Sequence, residues 1–195
     1  MSVERFDLRT IAPQPWKNGA GVTREIACGG ATPGHFDWRI SFADIDRDAP
    51  FSAFPGVDRC IVLLRGAGMQ LRSRDGGIDH RLTEPLVPFH FSGDAALDAT
   101  LADGASRDLN VMTRRGMFRS DLRCLRDAAA LPAAEITLLL CSAGAWQVGA
   151  DAPHTLQPLQ ALLWRTPPAR LAVRPLHADE PAALLQVRLC QDRGA

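Results

Sequence analysis

Phe36-Asp37-Trp38-Arg39-Ile40-Ser41-Phe42 alternates apolar and polar residues without a break. Successive side chains of an extended strand point to opposite faces. Phe36, Trp38, Ile40 and Phe42 therefore share one face, and Asp37, Arg39 and Ser41 share the other. Toward the N-terminus, Thr23 to Cys28 predicts a strand closed by Gly29-Gly30, and residues 6–12 predict a first strand ended by Pro13-Gln14-Pro15. Toward the C-terminus, Asp44 to Pro55 reads as a loop. Cys60-Ile61-Val62-Leu63-Leu64 is continuously apolar, as in a strand buried on both faces. Arg65-Gly66-Ala67-Gly68 turns that strand into Met69-Gln70-Leu71-Arg72, and Asp75-Gly76-Gly77 marks another hairpin. Leu86–Phe91, Leu97–Leu101 and Asp108–Thr113 continue the pattern. Past Arg114-Arg115-Gly116, Met117–Arg126 fits a helix or an edge strand, and Ala128–Pro132 a linker or short helix. Glu135–Cys141, Ala145–Val148, Gln160–Trp164, Arg170–Arg174 and Leu184–Leu189 form a second set of strands. No long segment carries helical periodicity, so the fold class is all-β, a sandwich or barrel.

A weak internal repeat runs through this pattern. Leu63-Leu64-Arg65-Gly66-Ala67-Gly68-Met69-Gln70-Leu71 resembles Leu140-Cys141-Ser142-Ala143-Gly144-Ala145-Trp146-Gln147-Val148, and Pro85-Leu86 resembles Pro158-Leu159. The matches keep their order, which suggests two related β units, residues 1–116 and 117–195.

Composition narrows the function. Of 22 basic residues, 21 are arginine, so Lys17 is the sole lysine, and asparagine occurs only at Asn18 and Asn110. Formal net charge is zero and no basic run occurs, which argues against nucleic acid and anionic membrane as partners. Residues 1–7 lack an apolar signal-peptide core, and no apolar run approaches the ~18 residues of a membrane span. The five cysteines are scattered without a CxxC pair. An odd count of unpaired thiols points to the cytoplasm.

Lys17-Asn18-Gly19-Ala20-Gly21 is the oddest local stretch. A lone lysine in an arginine-rich chain is a compact charge with rotatable donors, chosen over the planar guanidinium. Its neighbours Thr23, Arg24 and Glu25 make a first polar cluster. Arg39, Ser41, Asp44, Asp46 and Arg47 make a second, and Arg59 with the run Arg107 to Gly116 a third. If Leu109 and Val111 face a packed side, Asp108 and Asn110 face the other. Arginine, lysine and asparagine on one barrel face suit a small carboxylate. The five histidines form no HxH, HxxxH or HExxH pattern, so no metal is expected. Nor is there a GxSxG elbow or a phosphate-binding glycine pattern.

Several motifs carry a family resemblance. Trp16-Lys17-Asn18-Gly19-x-Gly21-x-Thr23-Arg24-Glu25-Ile26, Phe36-Asp37-Trp38-Arg39-Ile40-Ser41, Pro50-Phe51-Ser52-x-Phe54-Pro55-Gly56-Val57-Asp58-Arg59, Phe91-x-Gly93-Asp94 and Arg107-Asp108-Leu109-Asn110-Val111-Met112-Thr113-Arg114 resemble, in this order, the HutD/Ves family. The resemblance implies a two-barrel cupin, a jelly-roll bicupin in one chain. It also implies a link to bacterial histidine utilisation or, in the Ves branch, to stress responses. A ligand of formylglutamate type is the proposed role in that family. Metal-binding cupins carry a His-x-His and a Glu ahead of the glycine turn. Here Arg59 stands where that Glu would be, which favours an anion over a metal. Ala20 stands where a third glycine is usual.

The resulting expectation is a binding, regulatory protein without cofactor, for a small anionic metabolite. Lys17, Asn18, Arg24, Arg39, Ser41, Arg59 and Asn110 would contact the ligand. Thr23, Glu25, Asp44 and Asp108 would support them. The alternative is a metal-independent lyase, isomerase or amidohydrolase with Lys17 as acid or base. A third reading is an interaction protein that offers its Phe-rich loop 51–55 to a partner. The habit of cupins to pair admits a homodimer.

Overall fold

The computed structural model describes residues 2–31, 35–132, 134–150, 153–167, 170–177 and 179–192, and they carry nineteen strands. The chain opens with β1 (Val3–Asp7), β2 (Gln14–Pro15), β3 (Gly21–Gly29), β4 (Trp38–Ile45), β5 (Ala49–Phe51) and β6 (Val57–Arg65). It continues through β7 (Met69–Ser73), β8 (Asp79–Leu82), β9 (Pro88–Ser92), β10 (Leu97–Leu101), β11 (Ser106–Arg114), β12 (Phe118–Leu125) and β13 (Ala129–Pro132). Its last strands are β14 (Ile136–Ala143), β15 (Trp146–Val148), β16 (His154–Leu156), β17 (Gln160–Trp164), β18 (Arg170–Pro175) and β19 (Ala183–Gln191). The segments that admitted a helix, 117–126 and 128–132, are the strands β12 and β13. The expected loop after Asp44 contains β5, and the first strand lies at 3–7 instead of 6–12.

Two units emerge. One contains Ala12–Arg119 and Asp192, the other the residues up to Ile11 and Ser120–Gln191. The expected boundary at residue 116 put the N-terminal residues in the first unit. Instead β1 pairs antiparallel with β17, from Val3↔Trp164 to Asp7↔Gln160. Main-chain hydrogen bonding along that ladder assigns the segment to the second unit, and nothing local in its sequence signals so distant a partner.

In the first unit a six-stranded sheet, β2-β3-β4-β11-β6-β9, accompanies a four-stranded sheet, β5-β10-β7-β8. Ala43, Ile45, Ile61 and Leu63 of the larger sheet pack with Phe51, Met69, Leu71, Leu82, Leu97 and Ala99 in one apolar cluster. The second unit repeats the plan with β1-β17-β14-β19-β12 and β13-β18-β15-β16. Leu139, Cys141, Leu162, Trp164 and Leu184 pack there with Leu131, Trp146, Val148, Leu156, Leu171 and Val173.

Backbone conformation supports the repeat. Leu86 and Leu159 are the two non-glycine residues with positive φ among the described residues, at 66° and 67°. Left-handed backbone is rare for so bulky a side chain. Each amide donates to a strand carbonyl of its own unit, Leu86 to Leu63 O at 3.0 Å and Leu159 to Cys141 O at 2.9 Å. Both follow a proline, as the Pro85-Leu86 and Pro158-Leu159 match predicts.

Candidate functional site

Strand register decides which polar residues of the first unit meet. Asn110 pairs with Ser41 on one side and Ile61 on the other, Met112 with Arg39 and Arg59, and Asp108 with Ala43 and Leu63. Paired residues project to the same face of a sheet. Arg39, Ser41, Arg59, Asp108 and Asn110 therefore share the face that carries Ala43, Ile61 and Leu63. They line a cavity of about 550 Å³ together with Lys17, Asn18, Thr23 and the loop residues Phe51, Ser52 and Phe54. Trp38, Ile40 and Phe42 take the opposite face, as the alternation of β4 predicts.

Arg59 is the principal cation of the cavity. It is only 4% exposed. Its guanidinium carbon lies 4.9 Å from the ring centre of Phe91, 5.4 Å from Phe54 and 5.7 Å from Phe51. Nη1 donates to Ser52 O at 3.3 Å, while Nε has no partner. Burial pushes its pKa down to about 10, against the pull of Asp108 and with a further push from Arg39. A guanidinium with pKa near 10 is still charged at neutral pH. Aromatic faces offset part of the desolvation.

Asp108 faces the same space, 1% exposed, and neither carboxylate oxygen has a hydrogen-bond partner. Burial raises its pKa to about 7; Arg59 opposes that shift and Asp44 adds to it. Asn110, 7% exposed, leaves its side-chain carbonyl oxygen equally unpartnered. Buried polar groups are normally hydrogen-bonded, and each one left alone costs about 1–3 kcal/mol. Three such groups, on Arg59, Asp108 and Asn110, belong to residues that line one cavity.

Arg39 is fixed by Glu25, whose carboxylate accepts from its Nε at 2.8 Å. Thr23 accepts from the Trp16 indole at 2.7 Å, and that indole meets Phe51 edge-on at 5.8 Å. The Trp16–Gly21 turn is closed by Gly19 N to Trp16 O and Trp16 N to Gly21 O, with Gly19 at φ 66°. Asn18 accepts from Ala20 N at 3.1 Å, so its side-chain oxygen serves the turn. A side chain at Gly21 would lie 2.4 Å from Asp44 O. The stretch is therefore a tight turn and a cavity wall at once. Lys17 lines the cavity but is exposed.

Two expected site residues lie elsewhere. Arg24 pairs with Phe42, which puts it on the opposite face. There it donates to Asp44 at 2.5 Å, and Arg107 donates to the same carboxylate at 2.6 and 3.1 Å. Both guanidinium groups lie over the Phe42 ring, at 5.6 and 5.2 Å. Burial raises the Asp44 pKa, but Arg107 and Arg24 outweigh it and hold the carboxyl below its ordinary range. Arg24 is thus a structural cation, and Asp44 supports that pair instead of the cavity.

The phenylalanine cage is what the sequence reading missed as chemistry. Phe51, Phe54 and Phe91 turn toward Arg59, so loop 51–55 lines the cavity. The Gly93-Asp94 motif pins that loop. Phe54 N donates to Gly93 O at 2.6 Å and Gly93 N to Val57 O at 2.7 Å, where a side chain would meet backbone oxygens within 2.8 Å. Asp94 accepts from Gly56 N and Ser92 Oγ, each at 2.8 Å, and from Arg115. The spacing of phenylalanines around a proline at 51–55 was the available signal.

Cupins commonly hold a metal ion, and these residues do not fit one. The cavity offers one carboxylate facing a buried guanidinium, with no imidazole or thiolate among its lining residues. Among the described residues no group of three or more His, Cys, Asp or Glu is placed to hold a metal ion. Among the described residues no helix is long and apolar enough to cross a membrane.

Two jelly-roll units in one all-β chain, one of them opening into a polar cavity, define a protein of the cupin fold. The oxalate decarboxylase of Bacillus subtilis shares that fold alone, at 9% identity and a TM-score of 0.63 over 94% of this chain and 76% of that one. Residues 8–182 match the HutD family, and the chain belongs to it. Protein Ves of Citrobacter koseri is 38% identical over 148 residues, 75% of this chain and 76% of that protein. A conserved protein of unknown function from Pseudomonas aeruginosa PAO1 is 32% identical, with a TM-score of 0.86 over 97% of this chain and all of that one. HutD from Pseudomonas fluorescens SBW25 (formate condition) is 28% identical, with a TM-score of 0.85 over 99% and 100%.

Proposed function

We propose that this protein binds a small carboxylate of the formylglutamate kind in the first-unit cavity, and that binding serves regulation of histidine utilisation. The observation that carries the reading is the set of unpartnered polar atoms on Arg59, Asp108 and Asn110, buried around one cavity of about 550 Å³. Arg59 offers its guanidinium to a carboxylate from between the rings of Phe51, Phe54 and Phe91. Arg39, held by Glu25, and Lys17 add positive charge at the same wall. Membership of the HutD family and the name of the Pseudomonas fluorescens relative support the pathway.

A catalytic reading built on Lys17 asks for a desolvated amine, and Lys17 is exposed. Binding without turnover is therefore the reading. A thermal-shift panel of histidine-degradation intermediates, with metal analysis of the same sample, tests it. N-formylglutamate should raise the melting temperature in a concentration-dependent way, and should be recovered unchanged. Arg59→Met should abolish the shift. No shift with any intermediate, together with stoichiometric zinc or iron, would sink the proposal.

A further inference from the structure

Asp108 has no function in simple anion capture, and a fixed negative charge at that position would oppose it. The cavity face holds Arg59 from β6, Arg39 from β4 with its Glu25 partner from β3, and Lys17 from the preceding turn; the loop 50–54 contributes no charge. Asp44 acts from the opposite face of the sheet. Neither Asp108 oxygen is held by any of these groups. An ordinary structural aspartate in such a position closes a salt bridge or caps a backbone amide, as Asp44 and Asp94 do here.

We infer that Asp108 enters the complex as a neutral carboxylic acid and donates a hydrogen bond to the bound carboxylate, so that each anion binds together with one proton. The inference rests on the carboxylate reading of the cavity. Its geometry follows from register. On β11, Asp108 shares its face with Asn110 and lies four residues, ~13 Å along the strand, from Met112, the partner of Arg59. Arg59 and Asp108 line the same cavity, so a dicarboxylate held at one end by Arg59 reaches Asp108 with its other carboxylate. A carboxyl beside a second carboxylate in a poorly hydrated site keeps its proton, since two like charges there are costly. The proton comes from solvent and stays on Asp108; no bond in the ligand is made or broken.

Burial already holds the free Asp108 near the middle of the physiological range, with a pKa of about 7. Bound anion raises it further. Affinity is then full below that value and falls as pH rises through it, about tenfold from pH 6 to pH 8. The N-formylglutamate carboxylates do not titrate in this window. By reciprocity the ligand raises the proton affinity of Asp108 by the same factor, so the site reports metabolite and pH jointly.

Isothermal titration of N-formylglutamate into wild type and D108N at pH 6, 7 and 8 tests this. Wild type should lose about tenfold in affinity across the range. Asparagine is neutral at every pH and still donates, so D108N should bind with a flat profile. At pH 7.5, wild-type heats in phosphate and Tris should differ by uptake of most of one proton per ligand, a measurement that needs no variant. Binding of equal strength at all three pH values, the same slope in D108N, or equal heats in the two buffers would overturn the proton linkage and leave carboxylate binding intact. Failure of wild type to bind at any pH would overturn both.

Discussion

The two β units are built alike and filled differently. In the first, β11 pairs with β6 and brings Asp108 opposite Leu63 and Asn110 opposite Ile61. In the second, β19 pairs with β14 and brings Gln186 opposite Leu139 and Arg188 opposite Thr137. Both carry inward polar residues on the corresponding ladder. The second interior, however, is occupied by Trp146, Trp164, Leu139, Leu162 and Leu184, all buried. Two indoles and a set of leucines belong to one buried apolar cluster there, whereas the first unit surrounds Arg59 with a cavity of about 550 Å³. The contrast separates the requirements of a cupin barrel from those of a site. Close-packed apolar side chains stabilise the barrel. The unpartnered charges of the first unit oppose stability, a cost that the proposed ligand offsets.

The largest way to break this contrast is Asp108→Asn. A carboxyl whose pKa is raised from its ordinary value to about 7 stabilises the fold fully at pH below 4 and loses that contribution as pH rises to 7. Asparagine removes the charge at nearly constant shape. The variant should therefore be more stable at pH 8, by as much as roughly 4 kcal/mol. The gain should shrink as pH falls toward 4. Denaturant melts at pH 4, 6 and 8 read the trend, and a gain independent of pH would exclude Asp108 as its source.

Arg59→Met comes next. Methionine fills the place between Phe51, Phe54 and Phe91 with a polarisable side chain that suits aromatic contact. It removes a charge whose desolvation is only partly offset, so stability of the free protein should hold or rise. N-formylglutamate affinity should fall about 100-fold, in line with ~2–3 kcal/mol for a charge-assisted hydrogen bond lost from a dry site. Titration and a thermal melt on the same sample separate the two effects; a variant that melts far below wild type yet still binds would reverse the assignment.

Legibility of the molecule tracks the range of the interactions involved. The polar face of β4 was readable because alternation at Trp38–Phe42 is a local consequence of strand geometry. The Asp108–Asn110 face followed from the same rule. The repeat was readable through Gly and Pro-Leu positions that turns demand. Arg24 failed because it was grouped with Thr23 and Glu25, its neighbours in β3, which take the cavity face while alternation turns Arg24 to the other. β1 failed because its partner β17 lies more than 150 residues away. The aromatic cage was invisible as a site because Phe51 and Phe54 sit where composition suggests a loop. That Asp108 is unpaired is a fact of three dimensions, and no spacing could signal it.

The second unit supplies a smaller test. Gln186 is fully buried, and both ends of its amide lack partners, as does the Thr137 hydroxyl. If no ligand satisfies these groups, they are a standing cost. Gln186→Met keeps the volume and removes the amide. The expected gain is about 1 kcal/mol in denaturant melts, with ligand affinity unchanged. A loss of stability would show that something pairs with the amide in solution, and the contrast between a working and a filled interior would weaken.

The smallest expected effect lies within the first unit, between its two faces. Arg24 belongs to the motif that carries Lys17 and Asn18, yet it sits over Phe42 and shares Asp44 with Arg107. Arg24→Gln keeps a long side chain and a donor while removing one of two cations on that carboxylate. Arg107 still holds Asp44, so the loss of stability should be ~1 kcal/mol or less, as for partly exposed ion pairs. N-formylglutamate affinity should stay within about twofold of wild type, because only charge acting across the sheet is lost. Lys17→Met, on the cavity side, should weaken binding several-fold, and added salt should erase most of that difference, as expected of an exposed charge. A larger effect of Arg24 than of Lys17 on affinity would mean that the ligand is read from the opposite face, and the cavity assignment would fall with it.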